Sequence, residues 1–238
     1  MKIVATLPTY NESENIISLI RSLLKVSPNL HVLVIDDNSP DETWRIVGEE
    51  AKRNSRVHLL HRKTERGRGS AGVAGFQKAL EMGADLVVEM DADWSHHPRF
   101  LKRMLAATRR ADVVIGSRLV RGGGEQGRSP ARTLVTHMAN LYIRLILGFG
   151  IRDCTSGYRV FRRWVLERVD WSKVGSNGPA IVQEVLVASR SLGARITEVP
   201  ILFEERRAGK STFNAKIMLA GLAAQFRLRL NPAPVHTL

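Results

Sequence analysis

A chain of 238 residues with 44% hydrophobic and 6% aromatic residues can bury one sizeable core, and this composition excludes long disorder. A single cysteine, Cys154, excludes an internal disulfide and makes a reducing, cytoplasmic setting the expectation, and the N-terminal run is too short for a signal peptide. No apolar stretch reaches the roughly 20 residues of a membrane-spanning helix, while the net charge of +13 draws the chain toward polyanions: nucleic acid, nucleotide phosphates or an anionic membrane face.

Short β-branched runs predict strands over residues 2–6, 30–35, 57–61, 85–89 and 112–116. Helical patterns over 14–25, 40–52, 70–82 and 98–108 fill the intervals, an alternation that implies crossovers and a mostly parallel α/β sheet. Ser39-Pro40-Asp41-Glu42 offers a capping serine, proline at the first helical position and glutamate at the third; Asn11 with Glu14 repeats that spacing. Beyond residue 116 a glycine- and arginine-rich stretch, 118–132, reads as a long mobile loop. A helix over 133–147, a strand over 155–161, a helix over 180–192 and a strand over 195–203 follow. A charged loop spans 204–212, and an apolar helix over 213–230 carries Lys216, Arg227 and Arg229 near its ends. No repeat or linker divides the chain, so 1–238 is expected to be a single domain, with 213–230 able to lie on a bilayer surface.

The richest chemistry lies at strand ends. Val87-Val88-Glu89-Met90 runs straight into Asp91-Ala92-Asp93, two carboxylates one residue apart at the carboxyl end of a strand, where open α/β sheets bind ligands. Hard oxygen donors of this kind suit Mg²⁺ or Mn²⁺, which take one or two carboxylates and complete their shell with substrate phosphates. A bare D-x-D also arises from solvated strand ends and caps. Here Asp36-Asp37 ends an earlier strand, and Leu7-Pro8-Thr9-Tyr10-Asn11-Glu12 ends the first, so three strand ends present acids or an aromatic ring to one side. Tyr10 as packing and Asp36 as a buried acceptor are the structural alternatives for each piece alone.

The segments PTYNE, IDDNSPD, RGRGSA, MDADWSHHP, GSR, DCTSGYRVF, EVPILFEER and GKS, in that order, resemble the inverting family 2 glycosyltransferases. Within that group they are most similar to the dolichyl-phosphate (polyprenyl-phosphate) mannosyltransferases, over residues 3 to about 215. The resemblance implies a GT-A fold, GDP-mannose as donor, Mg²⁺ or Mn²⁺, and a polyprenyl phosphate acceptor. It also implies a peripheral place at the cytoplasmic face of the membrane, on the lipid surface or on a small membrane subunit. Carried over by position, donor contacts fall on Pro8, Tyr10, Glu12, Ile35, Asp37, Asp91, Ala92, Asp93, Arg118, Arg206 and Lys210. The metal falls on Asp91, Asp93 and Ser95, the acceptor phosphate on Arg118, Arg132 and Thr136, and the catalytic set on Asp91, Asp93, Arg118 and Arg132.

The chemistry is coherent with that set. A metal neutralises charge on a departing diphosphate, a phosphate acceptor is already anionic and needs no general base, and arginines bind phosphates bidentately. Direct displacement at one centre inverts configuration. The same fold with another sugar nucleotide, such as UDP-glucose, or with another acceptor, is the nearest alternative. Gly67-Arg68-Gly69-Ser70-Ala71-Gly72 matches a dinucleotide-binding pattern but follows the third strand, not the first; Ser70 is expected to cap the helix instead. His96-His97 lacks further ligands at zinc spacing and suits a helix start before Pro98. A nucleic-acid module is disfavoured by the few aromatics and the lack of a recognition motif, so no nucleic acid partner is expected.

Overall fold

Ile3–Thr9 (β1) and Leu30–Asp36 (β2) are near-continuous apolar runs buried at six of seven positions each. Strands covered on both faces read this way, which places these two inside a sheet. The computed structural model describes residues 1–175, 178, 180–205, 225–226, 228–230 and 234–235. The remaining strands are β3 (Val57–His61), β4 (Leu86–Glu89), β5 (Val113–Ser117), β6 (Gly124–Gln126), β7 (Arg159–Arg162), β8 (Ile196–Pro200) and β9 (Leu202–Glu204). The helices are α1 (Ile16–Leu24), α2 (Thr43–Arg53), α3 (Arg68–Glu81), α4 (Leu101–Ala107), α5 (Pro130–Leu147), α6 (Arg163–Glu167) and α7 (Ile181–Ser191).

The main sheet runs β3-β2-β1-β4-β7-β5-β8, with β7 antiparallel and its other pairings parallel; β6 and β9 form a second, two-stranded sheet. Because side chains alternate along a strand, β1 divides its residues between two cores. Ile3, Ala5 and Leu7 pack with Ile16, Leu19 and Ile20 of α1 on one face. Val4, with Leu33 and Ile35 of β2, packs against Phe76 of α3 and Ile181 of α7 on the other. Helix α3 approaches closely: a Cβ on Gly75 would lie 2.9 Å from Ile35.

Several element boundaries differ from the sequence reading for local reasons. Helix α2 begins at Thr43, whose N–H and hydroxyl both donate to Asp41 Oδ1, while Ser39 is drawn away to Asp36. Helix α1 begins at Ile16, and the Asn15 amide donates to Glu12, so Asn11 is not its cap. Ser70 lies inside the first turn of α3 and donates to the Gly67 carbonyl, so it does not cap that helix. The stretch 118–132 is not one irregular loop: it holds β6, and Ser129 caps α5 by accepting from the Arg132 N–H with Pro130 at the first helical position. The strand expected over 195–203 is divided between two sheets: β8 pairs with β5 as far as Pro200, the Ile201 N–H makes the last bond to the Ser117 carbonyl, and β9 then pairs with β6. The strand expected over 155–161 shortens to β7 because Asp153 accepts from the Ser156 N–H and holds the preceding residues in a turn. Most of 213–230 and nearly all of the charged loop lie outside the described residues; residues 225–226 and 228–230 are helical. Among the described residues no helix is long and apolar enough to cross a membrane.

The outer strands are stitched by Asp112, just before β5, whose carboxylate accepts from the Arg195 N–H and side chain at 2.9–3.1 Å. Those side-chain hydrogen bonds hold its pKa at about 2, below the ordinary 3.8. A depressed carboxyl stabilises the fold above its unfolded value and loses that contribution as pH falls toward the folded one. Asp112→Asn is therefore expected to cost about 1–2 kcal/mol near neutrality, a figure kept small by solvent at Arg195. In denaturant titrations the gap to the wild type should close as pH falls from about 4 to about 2; a gap that is constant with pH contradicts this.

Candidate functional site

The order β2-β1-β4 places the crevice between strands whose connections leave in opposite directions, the position at which open α/β sheets bind ligands. Into it open the ends of β1, β2 and β4. The β1 end carries Tyr10, half exposed, with the Arg66 guanidinium 5.7 Å from its ring centroid. Glu12 accepts from Asn15 at the start of α1. Pro8 is partly buried, whereas the Ile35 side chain is wholly buried in the core against Gly75. Ile35 can therefore offer a ligand only its backbone.

The two aspartates ending β2 have separate roles. Asp36, fully buried, accepts from Thr9 Oγ1 at 2.8 Å and from Ser39 N–H and Oγ at 2.9 and 2.7 Å, tying β1 to β2. Asp37 accepts from the Gly67 N–H at 2.9 Å and lies 3.3 Å from Arg62 Nε. Burial pushes the Asp37 carboxyl above its usual range.

After β4 the chain turns sharply. Asp93 Oδ1 accepts from Ser95 N–H at 3.1 Å and Ser95 Oγ at 2.6 Å, with Trp94 at φ +67° between them. Trp94 Nε1 donates to Ser18 of α1. Ala92 is buried. Ser95, also buried, orients the Asp93 carboxylate through its hydroxyl. The Asp91 N–H donates to His96 Nδ1 at 3.1 Å, which places the imidazole proton on Nε2. Burial lowers the His96 pKa, so the ring stays neutral, stacked on Tyr158. His97 accepts from the Arg99 N–H and starts the short 3₁₀ turn Pro98–Phe100, as its position before proline suggested. Asp91 Oδ1 lies 3.1 Å from Arg68, whose guanidinium also reaches Glu89 at 3.3 Å.

The arginine segments meet this loop across Phe203 of β9. The His96 ring packs edge-on to Phe203, and the Arg118 and Arg128 guanidiniums lie 5.5 and 5.3 Å from its centroid. Arg118 is held by Asp153 through Nε and Nη2 at 2.8 and 2.7 Å and donates to Thr155, so its fork is occupied by a buried carboxylate. Arg132 pairs with Glu205 at 3.0 Å. Thr136 accepts from Arg128 at 2.9 Å and donates to the Arg132 carbonyl. Arg128 and Arg68 thus join the predicted residues without having been singled out. The Ser129-Pro130 cap, which projects Arg128 and Arg132 from one end of α5, was the available signal for the first. Arg206 and Lys210 lie outside the described residues.

Among the described residues no three His, Cys, Asp or Glu side chains converge as a metal cage. The partly exposed Asp91 carboxylate, with the buried Asp93 two residues on, still fits an ion that takes one or two carboxylates and draws its remaining ligands from substrate phosphates.

Residues 5–170 match the family described as Glycosyl transferase family 2. The undecaprenyl-phosphate mannosyltransferase of Micrococcus luteus is 41% identical over 218 residues, covering 92% of this chain and 90% of that protein. The polyprenol monophosphomannose synthase of Mycolicibacterium smegmatis is 42% identical over 207 residues, 86% of this chain and 78% of that protein. A solved structure of glucosyl-3-phosphoglycerate synthase from Mycobacterium tuberculosis, in complex with Mn²⁺, UDP-glucose and phosphoglyceric acid, superimposes with a TM-score of 0.69. It covers 95% of this chain and 80% of that one at 20% identity, a likeness of fold alone.

Asp36→Ala removes three hydrogen bonds to a fully buried carboxylate. It is expected to cost about 2–4 kcal/mol in chemical denaturation; a loss below about 1 kcal/mol would show that the β1–β2 ends do not depend on it.

Proposed function

The chain belongs to glycosyl transferase family 2, and from that premise we propose that it transfers mannose from GDP-mannose to a polyprenyl phosphate with inversion, using Mg²⁺ or Mn²⁺. The observation that carries this reading is the junction at Phe203: the Asp91–Asp93 turn on one side, the Arg128, Arg132 and Thr136 cluster on the other. A donor diphosphate and an acceptor phosphate need such adjacent, separate sites. The likeness to a named undecaprenyl-phosphate mannosyltransferase over 92% of the chain supports the choice of sugar and lipid.

In this reading a divalent ion, when bound, neutralises the charge that grows on the departing diphosphate. The rest is positioning and electrostatics by the chain. Tyr10 and Asp37 line the nucleoside end of the crevice. Asp91 and Asp93 hold the ion, the second fixed by Ser95. Arg132 and Arg128 orient the acceptor phosphate, the first exchanging Glu205 and the second Glu125 and Thr136 for its oxygens; Arg118, held by Asp153, places positive charge beside both. The acceptor oxygen is ionised already, and the neutral His96 braces the Asp91 backbone without abstracting a proton.

Helix α5, which begins at this cluster, exposes Leu134, Met138, Leu141 and Leu145 along one side. These positions fall at helical spacing and form the surface we assign to the cytoplasmic face of a bilayer.

Incubation with labelled GDP-mannose, Mg²⁺ and a polyprenyl phosphate is expected to move label into the lipid phase. Asp93→Asn should lower the rate by about 100-fold or more. Label carried from UDP-glucose and not from GDP-mannose would overturn the donor, and no lipid-phase label from either would overturn the acceptor.

A further inference from the structure

The Gly67-Arg68-Gly69-Ser70-Ala71-Gly72 segment opens α3 after the third strand and not after the first, where a dinucleotide fingerprint belongs, so its glycines need another explanation. Gly67 adopts φ +136° and gives its N–H to Asp37. From there the Arg68 side chain enters the crevice and lies against β4. A Cβ on Gly72 would come within 3.6 Å of Arg68 Nη1, and one on Gly157 within 3.6 Å of Nη2 and 3.8 Å of Asp91 Oδ1. These are ordinary van der Waals distances, so the guanidinium fills a slot bordered by two glycines from different elements.

In that slot Nη2 is shared between Glu89 Oε1 at 3.3 Å and Asp91 Oδ1 at 3.1 Å, while Nη1 is buried with no hydrogen-bond partner among the described residues. Glu89 faces Arg159 across the β4–β7 pairing and is wholly enclosed, so its charge requires cations nearby. Asp91 is different. Its side chain is 38% exposed, and water could solvate it without Arg68. The contact to Asp91 is thus not demanded by burial.

We propose that Arg68 couples metal to donor: its guanidinium opposes a divalent cation at Asp91 until a nucleoside diphosphate is present to balance both charges. This rests on the donor-site reading above. An ion ligated by Asp91 Oδ1 would share that oxygen with a guanidinium nitrogen, and the two positive charges repel strongly where solvent is partly excluded. A diphosphate changes the balance. Its oxygens attract the ion and the guanidinium together, Nη1 supplies an unused donor for one of them, and Glu89 retains Nη2 when Asp91 is released. Coupling of this kind is reciprocal: the factor by which diphosphate tightens metal binding equals the factor by which metal tightens diphosphate binding. Arg68 is a positioning residue in this account, acting through Asp91.

Titration of Mn²⁺ against wild-type, Arg68→Met and Arg68→Lys proteins, followed by the electron paramagnetic resonance of free Mn²⁺, with and without GDP, tests it. Arg68→Met is expected to bind Mn²⁺ at least about fivefold more tightly without GDP, and the enhancement by GDP should fall by a similar factor. Arg68→Lys, which keeps the charge, should stay within about threefold of the wild type. If Arg68→Met does not fold, Arg68→Met with Glu89→Gln removes both buried charges and carries the same expectation. Unchanged Mn²⁺ affinity without GDP overturns the proposal, and weaker affinity does so by showing that Arg68 merely orients Asp91. A wild-type protein that takes up no Mn²⁺ even with GDP overturns the donor-site reading and this proposal together.

Discussion

Parallel pairing of β2, β1 and β4 forces three strand ends to emerge on the same side of the sheet, and the change of direction between β1 and β4 opens a crevice there. Most of the chemistry follows from this one constraint. Tyr10, Asp37 and Asp91 are far apart in sequence yet share an edge, because the first two directly follow β1 and β2 and the third lies two residues beyond the end of β4, in strands paired in parallel. The strands reach that edge as apolar runs buried on both faces, so the carboxylates mark the point where the core stops. Asp36 secures the edge by bonding Thr9 of β1 and Ser39 beyond β2.

A second layer of constraint comes from charge. The crevice is lined by acids in a strongly basic chain, and three buried carboxylates are met by arginines: Asp37 by Arg62, Glu89 by Arg68 and Arg159, Asp153 by Arg118. These pairs do more for geometry than for stability, since desolvation offsets much of their attraction. Removing one partner would leave a lone buried charge, which keeps the alternatives few. Phe203 lies between the two halves, with His96 on its edge and the Arg118 and Arg128 guanidiniums nearby, so the turn after β4 and these two arginines pack on one ring.

What could be read from residues alone was whatever local pattern determines. The strand–helix alternation, the carboxylate-bearing strand ends and the GT-A expectation agree with the sheet and with the family match. The division of labour between Asp36 and Asp37 was not legible, because it depends on Thr9 lying beside β2. Nor was the occupation of Arg118 by Asp153, residues 35 apart in sequence. Arg68 was hidden for the same reason: its partners Glu89 and Asp91 are on another element, and the local pattern around it pointed to a helix cap at Ser70. Local signals also misled at helix starts, where Ser39 satisfied a capping pattern but was captured by Asp36.

The central claim is that Asp91 and Asp93, at the β1–β4 reversal, hold a divalent ion against a nucleoside diphosphate. A crystal grown with Mn²⁺ and GDP tests it by anomalous scattering at the manganese edge. The account predicts a peak within ligand distance, about 2.0–2.3 Å, of carboxylate oxygens of this pair and of diphosphate oxygens. Bound GDP with no peak there, or with the ion held by other side chains, would contradict it.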